Sequence, residues 1–298
     1  MTASPLRAAV LGHPIGHSKS PLLHRAAYGY LGFECAYDRI DVPEEDAAAF
    51  AASLRRTDAG QPRWAGLSVT MPLKAALLPA MDRLTSTAAD LQVLNTVTFD
   101  YTDGGVVLTG HNTDVTGIVK ALLHAGAQAN PNVVILGAGG TACAAVAAAA
   151  RLNAASVSVC ARRFTAGPDG LPPVAEVGRR TGTEVRLRPW HEAAAACAEA
   201  DVVISTLPPH GADALADQLA AAPAGAAAPG AVLLDVAYDP WPSRIADVWA
   251  ARGGRIVPGL EMLLYQAVEQ VRLFTGGAFR EENAVTNVMC DAVGAPRR

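Results

Sequence analysis

The sequence predicts an α/β chain in which an N-terminal α/β domain is joined to a doubly wound parallel sheet. Three observations predict it. The chain has 298 residues, the length of about two ordinary domains. Short β-rich runs alternate with helical runs almost from end to end. A glycine-rich turn, Gly137-Ala138-Gly139-Gly140-Thr141-Ala142, stands between a strand pattern and a helix pattern.

The elements follow in order. Arg7–Leu11 is an apolar run that stops at Gly12, a strand. Ser20-Pro21 opens a helix through about Leu31, with Pro in the first turn and Ser20 suited to cap it. Tyr37–Val42 alternates as a strand does. Pro43 starts an alanine-rich helix whose first turn holds Glu44, Glu45 and Asp46, favourable at a positive helix end. Leu67–Thr70 reads as a strand end. Thr96–Asp100 and Val106–Thr109 flank Asp103-Gly104-Gly105, a hairpin signal. A helix begins near Asp114. Asn132–Leu136, Ser156–Cys160, Glu184–Leu187, Val202–Ser205, Val232–Val236 and Arg255–Val257 form a second strand series, with a helix over Thr141–Leu152 and helical stretches between most of the others. Ala220–Gly230 is an Ala/Pro/Gly-rich connection. Gly259–Gly276 and Glu281–Val293 are helical, and the first is expected to pack back on the N-terminal domain.

Composition bounds the function. Hydrophobic residues make up 51% and charged residues 17%, too few charges for a solvated disordered chain. A net charge of -4 and a pI near 6.0 argue against nucleic acid or an acidic membrane surface as partner. The start MTASPLRAAVLGHPIG is too short and broken for a signal peptide, and there is no apolar run of about twenty residues, so no membrane span is expected. Cys35, Cys143, Cys160, Cys197 and Cys290 are scattered without CxxC spacing. They read as reduced cytoplasmic thiols, with neither a disulfide frame nor a zinc site. His13, His17 and His24 lack carboxylates or further His at ligand spacing, so no metal is expected.

Gly137–Ala142 fits G-x-G-x-x-G/A in the strand-to-helix context that a dinucleotide site requires, so the second domain is read as Rossmann-type. Gly137 permits the tight turn, Gly139 lets the backbone approach a pyrophosphate, and Ala142 permits close helix–strand packing. Free N–H groups at the helix start favour phosphate charge. After the next strand stands Ala161-Arg162-Arg163, with no acid to bind ribose hydroxyls. A guanidinium matches phosphate oxygens, so Arg162 and Arg163 favour NADP(H) over NAD. A solvated pair of surface arginines is the bland alternative.

Four further clusters carry polar residues at strand ends or helix starts: Gly12–Pro21, Ser68–Lys74, Asn95-Thr96 and Asn112-Thr113-Asp114. Singly, each has a structural explanation. Ser20, Asn112 or Asp114 suits a helix cap, and Lys74 an exposed surface. The residues alone lead to an NADP-dependent oxidoreductase acting on a small polar substrate.

Taken together, the clusters resemble the shikimate dehydrogenase family. G-x-P-x-x-H-S-x-S-P is met at Gly12–Pro21, V-T-x-P-x-K at Val69–Lys74, N-T at Asn95-Thr96, H-N-T-D at His111–Asp114 and GAGG at Gly137–Gly140. Tyr238-Asp239-Pro240 and Gly259–Ala267 follow in the family's order. The resemblance implies NADPH-dependent, reversible reduction of 3-dehydroshikimate to shikimate, in aromatic amino-acid (chorismate) biosynthesis. It implies a substrate domain of residues 1–113 and 259–298, an NADP domain of 114–258, and a cleft between them. Lys74 and Asp114 are implied as the catalytic pair. Ser18 and Ser20 are implied as ligands of the substrate carboxylate, with Thr70, Asn95, Tyr238 and Gln266 as further substrate contacts. Beside Gly137, Ala138, Gly139, Gly140, Thr141, Ala142, Arg162 and Arg163, the cofactor would meet Thr206, Leu207, Val236, Gly259 and Met262. The chain departs from the family at Ser68, where Asn is usual, and at Ala161, where the usual N-R-T has its Asn. An NAD-dependent quinate/shikimate dehydrogenase is the nearest rival, but such relatives tend to carry an acid after the second Rossmann strand and often Thr for the second substrate Ser, whereas this chain has Arg162 and Ser20. A non-catalytic NADPH-binding regulator would be expected to lack Lys74 or Asp114. A folate-linked dehydrogenase does not explain Ser18, Ser20 and Gln266 together. The expected partner is a small molecule, with no nucleic acid or membrane, in a cytoplasmic monomer or homodimer.

Overall fold

The computed structural model describes residues 6–56, 61–167, 170–222 and 230–298; most of the Ala/Pro/Gly-rich connection Ala220–Gly230 lies outside them. The chain divides into two compact units, Met1–Thr113 with Leu264–Arg298, and Asp114–Leu263.

In the first unit, β1 (Leu6–Gly12) is apolar and becomes fully buried along its length, the pattern of a central parallel strand. It lies between β2 (Cys35–Asp41) and β3 (Arg63–Val69), parallel to both, with α1 (Ser20–Leu31) as a crossover. Antiparallel pairing then adds β5 (Thr96–Thr102) and β6 (Gly105–His111). Thr102 pairs with Gly105, so Asp103-Gly104 forms a two-residue hairpin turn, as the Asp-Gly signal predicts. A two-residue edge strand, β4 (Arg83–Leu84), completes the order β2-β1-β3-β5-β6-β4. Leu11, Leu67, Leu73, Leu94 and Leu108 fill the core on one face.

Three local expectations change. Ser20 is the first residue of α1 rather than its cap: Lys19 holds the cap position, and the Ser20 N–H donates to Ser18 Oγ at 3.3 Å. The acidic run after Pro43 forms a 3-10 turn, Glu44–Asp46, before α2 (Ala47–Ser53) begins. Two short helices, α3 (Leu73–Ala76) and α4 (Ser86–Leu91), escape periodicity because each is too short to display it.

The second unit begins with α5 (Asp114–His124) and carries six parallel strands: β7 (Asn132–Leu136), β8 (Ser156–Ala161), β9 (Val185–Pro189), β10 (Val202–Ser205), β11 (Val232–Asp235) and β12 (Arg255–Pro258). Their order, β12-β11-β10-β7-β8-β9, is doubly wound: successive strands are added outward from β7 first on one side and then, from β10, on the other. Helices α6 (Gly140–Arg151), α7 (Pro173–Thr181), α8 (Ala193–Ala198), α9 (Asp213–Ala221) and α10 (Arg244–Ala251) connect them. Ala142–Ala149 of α6 are all buried, and small side chains let this helix seat closely on the sheet. Trp249 closes the core beneath β11, its indole N–H donating to the Ala231 carbonyl at 3.1 Å.

The tail helices are α11 (Gly259–Thr275) and α12 (Glu282–Val293). The division between units falls inside α11, at Leu264, rather than at its start. From there the helix packs in the first unit: Phe274 stacks on His24 of α1, and α12 lies against α1.

Candidate functional site

In the first unit, the loops after β1 and β3 meet through backbone bonds. His13 N–H donates to the Met71 carbonyl at 3.1 Å, and Thr70 N–H to the Leu11 carbonyl at 2.8 Å. Ser18 and Ser20 stand at the start of α1, both buried. Lys74 is half-buried in α3, where its carbonyl accepts the Leu94 N–H at 2.9 Å.

Behind these lies a buried polar network. Asn95 Nδ2 donates to Gln266 Oε1 at 3.1 Å and to Thr113 Oγ1 at 2.9 Å, while Asn95 Oδ1 accepts the Thr113 N–H at 2.8 Å. Asn95 and Gln266, far apart in sequence, are thus in direct contact. One turn on along α11, Gln270 Nε2 donates to the Asn95 carbonyl at 3.1 Å and to Thr96 Oγ1 at 2.9 Å. Gln270 Oε1 accepts Ser68 Oγ–H at 2.7 Å, and Ser68 Oγ accepts Tyr37 O–H at 2.7 Å. Tyr37 also bonds Ser20. Ser18, Ser20, Ser68, Asn95 and Gln266 therefore belong to one connected set. Ser68 spends its one proton on Gln270 and serves the network rather than an open position.

His24 completes the set, stacked on Tyr37 with ring centroids 4.1 Å apart and 3.3 Å from Gln270 Oε1. Burial lowers its pKa to about 3, so the ring is neutral. Burial likewise pushes the Tyr37 phenol upward. Motif spacing missed Gln270, Tyr37 and His24 as members. The i, i+4 spacing of Gln266 and Gln270 was the one available signal, since it sets both on one helix face.

The remaining site residues lie in the second unit. Asp114 is the buried first residue of α5. Gly137 follows β7 with φ +109°, in the region that favours glycine, and a Cβ there would lie 2.5 Å from Thr206 Oγ1. Thr206 is fixed by donating to the Leu136 carbonyl at 2.8 Å. Gly139 precedes α6 in extended conformation, with nothing within 4 Å of where a Cβ would be and no side chain capping the helix. That leaves the first N–H groups of α6, at Gly140, Thr141 and Ala142, open to an anion. A pocket of about 710 Å³ adjoins this turn, lined by Gly137, Ala138, Arg162, Arg163, Trp190 and Leu207 among others. The first two residues of the glycine turn and the exposed arginines line this pocket, with the α6 start next along the chain, and these groups fit a phosphorylated dinucleotide. Trp190 is a lining residue that sequence reasoning missed.

At the other side of this sheet, Val236 N–H donates to the Ser205 carbonyl at 3.0 Å. Gly259 packs on Val236: a Cβ would lie 2.1 Å from its carbonyl oxygen, so only glycine fits. Met262 is buried in the following turn. Tyr238 is half-buried, and burial raises its phenol above the usual range, with Asp239 adding to the effect.

Comparison with known proteins places this geometry. Residues 10–97 match the family model described as the shikimate dehydrogenase substrate binding domain, and residues 259–277 the shikimate 5'-dehydrogenase C-terminal domain. A shikimate dehydrogenase (NADP(+)) from Methanothermobacter thermautotrophicus is 32% identical over 274 residues, 90% of each chain. One from Oleidesulfovibrio alaskensis is 35% identical, covering 90% of this chain and 88% of its own. The chain belongs to the shikimate dehydrogenase family. Among solved structures, the Mycobacterium tuberculosis shikimate dehydrogenase is 38% identical with a TM-score of 0.78, covering 96% of this chain and all (100%) of its own. The Thermus thermophilus shikimate 5-dehydrogenase, solved with NADP(H) and shikimate, is 28% identical with a TM-score of 0.74, covering 96% of this chain and 99% of its own. The substrate-domain match covers Ser18, Ser20, Thr70, Lys74 and Asn95; the C-terminal match covers Gly259, Met262, Gln266 and Gln270. As a member of the shikimate dehydrogenase family, the chain is an oxidoreductase acting on a CH–OH group. No helix among the described residues is long and apolar enough to cross a membrane.

Proposed function

We propose that this protein reduces 3-dehydroshikimate to shikimate, reversibly and with NADPH, in the cytoplasm as a monomer or homodimer. The observation that carries the reading is the buried set joining Asn95, Gln266, Ser68 and Ser20 in a chain of this family. Bound NADPH supplies the hydride; the protein supplies orientation and proton handling. Gly137–Ala142 hold the pyrophosphate at the start of α6, and Arg162 with Arg163 take the 2′-phosphate. Thr206, Leu207, Val236, Gly259 and Met262 hold the rest of the cofactor.

Ser18 binds the substrate carboxylate through its hydroxyl proton, and Ser20 joins it by turning its hydroxyl from Tyr37 to the carboxylate. Thr70, Asn95, Tyr238 and Gln266 bind its hydroxyl groups. Amide side chains suit this task, because each offers a donor and an acceptor fixed by its partners. As the ketone carbon accepts hydride, its oxygen gains alkoxide charge. The Lys74 ammonium stabilises that charge and delivers the proton. The Asp114 carboxylate accepts a hydrogen bond from a substrate hydroxyl.

The test is a rate assay with shikimate and quinate, each with NADP and NAD. Fast turnover confined to shikimate with NADP is expected. Equal or faster turnover of quinate with NAD would overturn the cofactor and substrate assignments, and no turnover with any pair would overturn the reaction.

A further inference from the structure

The segment 13–19 carries Ser18 to the start of α1, and it has no regular structure of its own. Besides the His13 N–H bond to the Met71 carbonyl, it is held from β2, the edge strand of the first sheet. Arg39 and Asp41 lie two residues apart on that strand, so they project to the same face. The Arg39 guanidinium donates twice to the Ser18 carbonyl, from Nε at 3.0 Å and Nη2 at 2.5 Å. Asp41 Oδ1 accepts the Ile15 N–H at 3.1 Å, and its Oδ2 bonds His13 Nδ1 at 2.9 Å. Ser18 N–H in turn donates to the Ile15 carbonyl at 3.1 Å. Ser18 Oγ accepts the Ser20 N–H, which fixes the oxygen and leaves its own proton to be donated to an anion.

We propose that Arg39 is a positioning residue for substrate recognition: its double bond to the Ser18 carbonyl sets the Ser18 hydroxyl for the substrate carboxylate, with Asp41 fixing the other end of the segment. The proposal rests on the role of Ser18 given above. Two donors from one planar group fix direction as well as distance, which a single ammonium does not. Arg39 is solvent-exposed, so its removal leaves the core intact, and the effect is moderated by water.

The experiment compares wild type, Arg39→Met and Arg39→Lys. For Arg39→Met, KM for shikimate should rise roughly five- to twentyfold, a charged hydrogen bond discounted for exposure. Its kcat and KM for NADP should stay within about twofold, and its melting temperature within about 3 °C. Arg39→Lys should fall between. Amide hydrogen exchange over residues 13–20 should quicken in Arg39→Met. An unchanged KM for shikimate in Arg39→Met, or an equal change in KM for both substrates, would overturn the proposal. Unchanged exchange over 13–20 would overturn it even if the wild type failed to oxidise shikimate, whereas that failure by itself would count against the proposed function alone.

Discussion

Replacing Gln270 by Leu keeps a side chain of similar size on the buried face of α11 and removes every hydrogen bond it makes. Four contacts go: Ser68 and His24 to Oε1, and Nε2 to the Asn95 carbonyl and Thr96 Oγ1. The two acceptors are not orphaned. The Asn95 carbonyl keeps the Val69 N–H at 2.7 Å, and Thr96 Oγ1 keeps its bond to Asn95 Oδ1 at 2.8 Å. Ser68 O–H and the His24 ring N–H lose their acceptor inside the core. Two unsatisfied buried groups at about 1–3 kcal/mol each, offset in part by the apolar Leu side chain, should make Gln270→Leu destabilising by about 2–4 kcal/mol. At a few degrees per kcal/mol, the melting temperature should fall by roughly 4–10 °C. Because Ser68 and Gln270 share one bond, Ser68→Ala with Gln270→Leu should destabilise less than the sum of the two, by at least about 1 kcal/mol. The assay is urea and thermal unfolding of wild type, both single variants and the double. Additivity within about 0.5 kcal/mol, or a loss below about 1 kcal/mol for Gln270→Leu, would refute the network as a coupled unit.

Acid should act through His24. Burial lowers its folded pKa to about 3 against an ordinary 6.5, so the unfolded chain binds the extra proton between those values. The neutral ring's contribution is fully present above pH 6.5 and is lost as the pH falls toward 3, by about 2 kcal/mol at pH 5. Unfolding titrations from pH 7.5 to 5 should show this slope, and His24→Phe should flatten it; an identical slope in the variant would assign the loss to other groups. Gly137→Ala should cost about 1–3 kcal/mol from positive φ alone and weaken NADP binding at least tenfold by calorimetry, because the Cβ would push Thr206 away. Unaltered binding would remove Gly137 from the phosphate turn. Lys74→Ala should lower turnover at least about a hundredfold, the usual share of a general acid, with the protein still folded by circular dichroism. A near-normal rate would end its assignment as proton donor.

The order of strands and helices was legible because burial leaves period and punctuation in a sequence. Apolar β1 and β7, Asp103-Gly104 and Gly137–Gly140 announced strand, hairpin and glycine turn directly. Where local signals were weak, tertiary contacts decided. The helix α3 that carries Lys74 is four residues long, too short for periodicity, and is held by the Leu94 N–H. Ser20 had the chemistry of a cap, yet it opens the helix because Ser18 takes its N–H and Tyr37 its hydroxyl.

The sequence by itself determined the α/β class, the glycine turn between β7 and α6, the arginine pair Arg162-Arg163 that follows β8, and an ordered set of motifs. Those are local properties: backbone freedom at a turn, charge at a strand end, residue types at fixed spacing. Only the tertiary structure decided that Gln270, Tyr37 and His24 join Ser68 and Asn95, and that Arg39 of an edge strand holds Ser18. A buried polar atom must find a partner wherever the fold brings one, and no short stretch of sequence records which residue that is.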